Sequence, residues 1–473
     1  MQNFRLLING RLEPARETID VINPADEKVL AQCPKASIAQ LEQAVQAAKQ
    51  AFPSWSQTPM SERRIQLMLM ANALQIHKQE LALLLTAEQG KPLSQARAEV
   101  DYAQAFCQTI ADMRLDNQWL IDNEQQHVQL QRRPLGVVAA ITPWNFPLLI
   151  ACYKIAPALL AGNTLVLKPA PTTPLATLKL GEAILNIFPP GVVNIITDNN
   201  DLGPLLTQHP DIQKVSFTGS TQTGKAVMSS AAATLKRLTL ELGGNDAALV
   251  LDDVNVDDVA QDIFNAAFIN SGQVCVAIKR VYVPDRIYDR MCDAIATLAA
   301  SAIVGDGMDS ASQYGPVQNR AQFDKVCGYL HEAKQHGTII AGGDVPDQPG
   351  FLIPLTVVRD LKDGNPVVDE EAFGPILPIV RYTDLDQVIA GLNRSPYGLG
   401  GSVWSSNLAR AESVANRLDT GTVWINQHCA FGPHIPMPTT RASGIGVEWG
   451  QQGLEEYTTL RVINTKRTEA AGN

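Results

Sequence analysis

The chain has 473 residues, more than one ordinary hydrophobic core organises, so two or three domains are expected. Apolar residues make up 45% and charged residues 18%, the balance of a soluble globular protein. A net charge of −10 argues against a nucleic-acid or anionic-membrane partner.

The seven cysteines are Cys33, Cys107, Cys152, Cys275, Cys292, Cys327 and Cys429, scattered and without a CxxC pair. That spacing argues against a disulfide framework and a Cys-rich metal site, and for a reducing cytoplasm. Met1 to Leu6 lacks the basic and apolar regions of a secretion signal. The most apolar segment, Pro147 to Leu160, is interrupted by Lys154 and too short to span a membrane.

In chain order, Leu6 to Leu12 reads as a hairpin around Asn9-Gly10. Ser37 with Gln40 predicts a capping box for a helix through Ala51. Thr58-Pro59 opens another helix, with Pro59 expected at its first position, and a third runs from Leu81 to Gln89. Gln126 to Gln131 alternates polar and apolar, which predicts a half-exposed strand, either an ordinary edge or an oligomer contact.

From Leu135 the chain becomes regular. Leu135–Ile141, Thr164–Leu167, Val192–Ile196, Lys214–Phe217 and the run Leu235 to Leu240 read as strands, with helices at Leu148–Leu160 and Leu175–Ile187. Ala247–Leu251, Val281–Val283, Ile376–Val380 and Ser402–Trp404 continue the alternation, with helices at Val256–Asn270 and Leu385–Asn393. Alternating strands and helices predict an α/β fold with parallel sheets and helices on both faces. The tail from Thr465 to Asn473 is expected to be loose.

Ligands bind such sheets beyond the carboxyl ends of the strands. Unusual residues follow four of those ends. After Ile141 come Thr142, Pro143, Trp144, Asn145, Phe146 and Pro147, a rigid loop able to present the Asn145 amide. After Leu167 comes Lys168, able to reach a sugar or phosphate. After Phe217, the turn Thr218-Gly219-Ser220 opens a helix, an arrangement that favours an anion. After Leu240 stands Glu241, then Leu242, Gly243 and Gly244. Gly272-Gln273-Val274-Cys275 follows thirty residues on, pairing a carboxylate with a thiol. A thiolate is a nucleophile and a carboxylate can activate water.

With Glu370-Glu371-Ala372-Phe373-Gly374-Pro375 added, these motifs stand in the order and spacing of the aldehyde dehydrogenase superfamily, which the chain resembles over nearly its whole length. The resemblance implies two doubly wound parallel-sheet domains, a Rossmann-like cofactor domain (1–117 and 134–243) and a catalytic domain (244–453). It also implies a small β oligomerisation arm (118–133 and 454–473) in a homodimer or homotetramer. By resemblance Cys275 attacks an aldehyde, Asn145 and the Cys275 N–H hold the oxyanion, and hydride passes to NAD or NADP. Glu241 then activates the water that hydrolyses the thioester, with Lys154 and Glu448 relaying its proton. Thr142, Trp144, Lys168, Gly219, Ser220, Gly243, Glu371 and Phe373 would hold the dinucleotide.

Three departures from the family pattern matter. Pro171 stands where the family often carries a ribose-binding Glu, so NADP is expected to be tolerated beside NAD. Tyr153 stands where relatives acting on anionic aldehydes carry Arg, so an uncharged or aromatic aldehyde is expected, with Phe146, Tyr153, Phe431 and Met437 lining its tunnel. Pro436-Met437-Pro438-Thr439 replaces the usual Gly-rich loop. Two other activities compete: a CoA-acylating dehydrogenase, which the hydrolytic Glu241 opposes, and a cofactor-free thiol hydrolase, in which His428 or His434 would activate Cys275.

Overall fold

A computed structural model describes residues 3–467. The local signals act where they stand. Asn9 and Gly10 take φ of 51° and 70°, the twist a two-residue turn needs, and join Leu6–Ile8 to Arg11–Glu13. Ser37 and Gln40 form the full capping box. The helix it opens, Ile38–Gln57, runs past Ala51 and through Pro53, held by Trp55, which packs edge-on against Phe188. Pro59 lies one residue before its expected place, as the N-cap of Met60–Ile76. Leu235 is no strand residue: it caps a short 3-10 turn at φ 51°, is 90% exposed, and the strand begins at Arg237.

Eight strands form the first sheet. Its spatial order is Arg11–Glu13, Leu6–Ile8, Val193–Ile195, Thr164–Lys168, Val137–Ile141, Ile212–Thr218, Arg237–Glu241 and Gly444–Ile445. The five strands from Val193–Ile195 to Arg237–Glu241 are parallel. Both margins are antiparallel, an addition to the expected parallel sheet. A hairpin can add only an antiparallel strand, and a late return of the chain closes the other edge. The strand order reverses between Val137–Ile141 and Ile212–Thr218, so their carboxyl ends open a crevice.

The second sheet, of seven strands, runs Thr338–Ala341, Thr356–Arg359, Ile376–Tyr382, Ile278–Pro284, Asp246–Val250, Gly400–Trp404 and Thr422–Ile425. Only Thr338–Ala341 is antiparallel to its neighbour. Central strands of both sheets are buried end to end, as their continuous apolar runs require. Apolar clusters fill both faces of each sheet.

Gln118–Asp122, Gln126–Pro134 and Thr458–Lys466 form a separate three-stranded antiparallel sheet. Thr465 and Lys466 are thus paired strand residues and not loose, and the Arg467 N–H donates to Gln125 O at 2.9 Å; residues 468–473 lie outside the described residues. Leu454 and Tyr457, just before the last strand, are fully buried in the core of the first sheet.

Candidate active site

Asn145 is fixed from three directions. Its side-chain Nδ2 donates to Gln273 O at 2.9 Å, and its carbonyl accepts from Lys91 Nζ at 2.9 Å and Asn270 Nδ2 at 3.1 Å. The helix that follows, Pro147–Leu160, has no side-chain cap of its own. Glu99, from the helix Leu93–Asp112, supplies one: its Oε1 accepts from the N–H of Leu148 and Leu149 at 3.1 and 3.2 Å.

That helix carries Tyr153 and Lys154 inward. Lys154 Nζ donates to Glu448 Oε1 and Ser216 Oγ, both at 2.9 Å, and Tyr457 OH donates to Ser216 Oγ at 3.1 Å. Ser216 and Thr218 belong to the strand Ile212–Thr218, which places Thr218 opposite Glu241.

Glu241 ends its strand fully buried, with no hydrogen-bond partner on either carboxylate oxygen. Burial pushes its pKa up to about 7, against the pull of the Cys275 thiol and Lys154 and with the push of Glu448 and Glu371. Cys275 follows a turn in which Asn270, Ser271 and Gly272 all have positive φ. Ser271 Oγ on Gly315 O at 2.7 Å and Asn270 on Asn145 O hold that strained turn. The thiol is half-buried, and burial and the Glu241 charge raise its pKa well above the ordinary range, while Lys279 lowers it.

Gly244 is required by proximity, and Gly243 leaves room for the Glu371 carboxylate. A Cβ on Gly244 would stand 2.5 Å from the Cys275 carbonyl, and one on Gly243 2.5 Å from Glu371 Oε2. Glu371 Oε1 accepts from the Gly244 N–H at 2.9 Å. The loops bearing the acid, the thiol and Glu371 therefore meet. Phe373 joins them by packing edge-on to Trp144, ring centres 5.2 Å apart.

Trp144, Thr142, Lys168, Gly219 and Ser220 line one cavity of about 1210 Å³ at the strand-order reversal. Ser220 caps the eleven-residue helix Thr221–Ala231, whose first turn faces that cavity, and Thr142 Oγ1 is buried without a partner. Glu241, Cys275, Gly243, Glu371 and Phe373 do not line this cavity but border it through the contacts above.

Of the expected tunnel residues, Tyr153 and Phe431 flank Trp449, with ring centres 5.7 and 5.2 Å from it. Phe431 and Phe146 pack with Cys275 on the apolar cluster of Val274, Val276 and Trp424, where Met437 is buried. The histidines do not serve the thiol. His428 Nε2 is engaged with Val276 O at 2.8 Å, and His434 packs on Gly432 of its own loop. Sequence reasoning missed Trp449, Ser216, Tyr457, Lys91 and Glu99. Lys91 carries no motif of its own in the sequence, and Trp449 stands there only as the neighbour of Glu448.

A sequence model described as the aldehyde dehydrogenase family matches residues 12–463. A mitochondrial aldehyde dehydrogenase of Leishmania tarentolae is 36% identical over 472 residues, covering 97% of this chain and 94% of that protein. A phenylacetaldehyde dehydrogenase of Pseudomonas fluorescens is 36% identical over 478 residues, covering 97% and 95%. The crystal structure of betaine aldehyde dehydrogenase from Staphylococcus aureus in complex with NAD+ superposes with a TM-score of 0.95 at 33% identity, covering 99% and 96% of the two chains. With a match of this extent over the same loops that bring Asn145, Glu241 and Cys275 together, the chain belongs to the aldehyde dehydrogenase family.

Proposed function

We propose that the chain oxidises an uncharged aldehyde to its carboxylic acid with NAD(P), using Cys275 as nucleophile and Glu241 as the base for hydrolysis. The observation that carries this reading is the Glu241 carboxylate, fully buried, with no geometric hydrogen bond fixing either oxygen, and near enough to the Cys275 thiol that each shifts the other's pKa. A buried base held near pH 7 without a fixed partner is free to take a proton from water at working pH.

The thiol gives up its proton to solvent water, and its sulfur bonds the aldehyde carbon as the C=O π bond opens to the oxyanion. The Asn145 amide, whose second N–H is not used by Gln273, stabilises the resulting oxyanion together with the Cys275 N–H; loss of one such donor costs about a hundredfold or more. A dinucleotide held by the cleft residues would supply the acceptor for the hydride that the Cys275 adduct loses in becoming a thioester. Water then adds to the thioester carbonyl as Glu241 takes its proton, the C–S bond breaks, and the sulfur leaves as thiolate. Lys154 and Glu448 pass the proton on from Glu241.

The cleft residues fit a dinucleotide. The first turn of Thr221–Ala231 suits its phosphates, Lys168 its ribose, and Trp144, Glu371 and Phe373 its nicotinamide end. The aromatic set Tyr153, Trp449 and Phe431, with no cationic partner beside Tyr153 except the engaged Lys154, favours an aromatic aldehyde. The name of the Pseudomonas fluorescens relative points the same way. A hydrolytic Glu241 opposes transfer to coenzyme A, and the engaged His428 opposes a cofactor-free hydrolase.

The two sheets support a dinucleotide-binding domain ending near 243 and a catalytic domain from 244. The three-stranded sheet is the arm of a homodimer or homotetramer, with Trp119, Leu120, Leu460 and Val462 exposed on it. Among the described residues no helix is long and apolar enough to cross a membrane; the scattered free cysteines accord with a cytoplasmic enzyme. Absorbance at 340 nm across an aldehyde panel, with NAD, NADP and coenzyme A each added or omitted, tests this. Acid formed without any dinucleotide would overturn it.

A further inference from the structure

Lys279 is the second residue of the strand Ile278–Pro284, which is buried along its whole length. The side chain is buried too, and among the described residues its ammonium forms no ion pair. It turns back instead over the loop that precedes the strand and donates to three carbonyls: Val274 O at 2.5 Å, Cys275 O at 3.1 Å and Ala277 O at 3.4 Å. Those bonds use all three ammonium donors. The Phe373 ring centre lies 5.8 Å from the same ammonium.

The loop so held is a tight turn. The Ala277 N–H donates to Val274 O at 3.2 Å, and the remaining carbonyl, Val276 O, is met by His428 Nε2 at 2.8 Å and Cys429 Sγ at 3.1 Å. Val274 O matters most, because it and the Cys275 N–H belong to one peptide group. A cation on that oxygen fixes the plane of the group, and polarisation along the amide strengthens the N–H as a donor. The charge also acts on the thiol: Glu241 and Glu371 oppose ionisation of Cys275, and Lys279 favours it. Glu371 and Cys429 face the same ammonium from their own loops.

We propose that Lys279 is a positioning residue for the nucleophile: it holds the Val274–Cys275 peptide group with its N–H toward the oxyanion, and it sets a positive charge beside the Cys275 sulfur. The proposal rests on the assignment of Cys275 as nucleophile. Burying an ammonium without a carboxylate is costly, and neutral donors would satisfy the same carbonyls. The charge itself therefore has a use, and the groups near it that become negative in the reaction are the Cys275 sulfur and the oxyanion formed on it.

The test is alkylation of Cys275 by iodoacetamide across a pH series, read by mass spectrometry of the peptide that carries it, in wild type and Lys279→Met. Methionine keeps the length of the side chain and removes both charge and donors. The variant should raise the midpoint of the alkylation profile by about one unit or more and slow alkylation at neutral pH on the order of tenfold. The burst of reduced dinucleotide should slow on the order of tenfold or more. A residue that only ties the turn to the strand would lower the melting temperature and leave the profile in place. An unchanged midpoint in Lys279→Met overturns the proposal and leaves Cys275 as nucleophile. Turnover that survives full alkylation of Cys275 overturns both. If Lys279→Met does not fold, Lys279→Gln, which keeps a donor and removes the charge, is read in the same way: a raised midpoint supports the proposal and an unchanged one overturns it.

Discussion

Lys91 Nζ lies 2.5 Å from Glu99 Oε2, and neither side chain has any exposure. The pair joins two things that the chemistry needs in register. Lys91 grips the carbonyl of Asn145, and Glu99 caps the helix that carries Lys154. Glu99→Gln keeps the size and removes the charge, stranding a buried ammonium. Loss of one partner of a buried pair costs roughly 3–5 kcal/mol. The variant should melt well below wild type and, where folded, turn over slowly with dinucleotide affinity little changed. Thermal unfolding and steady-state rates check this; unchanged melting and rate would mean the pair is dispensable.

Glu241 links activity and stability to pH in opposite senses. As a base it works when ionised, so turnover should rise through about pH 7. Its folded pKa lies above the ordinary 4.5, so the folded state binds the proton more tightly than the unfolded chain. The stability from that site is complete below about 4.5 and is lost as pH rises through about 7, by roughly 3 kcal/mol at most. Urea unfolding at pH 5 and pH 8 should show that Glu241→Gln loses less stability over this range than wild type does. Equal losses would mean that Glu241 does not titrate there.

Trp449 holds φ 64°, a costly conformation for a bulky residue, between Tyr153, Phe106 and Phe431. Edge-on ring pairs contribute about 0.5–1.5 kcal/mol each beyond burial. Trp449→Leu should raise KM for an aromatic aldehyde on the order of tenfold and leave a short aliphatic aldehyde nearly unaffected. A KM panel on wild type and Trp449→Leu decides; equal changes for both substrate types would remove Trp449 from the tunnel wall.

What could be read from the sequence was local in origin. The Asn9-Gly10 turn, the Ser37–Gln40 box and the buried strands Val137–Ile141 and Thr164–Lys168 are each set by a few adjacent residues. Thr338–Ala341 and Thr356–Arg359 escaped because four residues carry too little pattern to separate a strand from a loop. Antiparallel Gly444–Ile445 is a strand only because Leu240 and Glu241 are beside it. Asn145, Glu241 and Cys275 could be named from motif spacing, but their supports could not. Lys168 with Asp198 and Ser216 with Tyr457 are separated by 30 and 241 residues, and only the folded sheet brings each pair together.

The division of labour between Cys275 and Glu241 is the centre of the account, and a stopped-flow record of reduced dinucleotide from Glu241→Gln tests it most directly. The account predicts a rapid burst of about one equivalent per active site followed by almost no steady turnover, because the thioester forms and is not hydrolysed. Loss of the burst together with turnover would place Glu241 before the thioester, and undiminished turnover would remove it from the reaction; either contradicts the account.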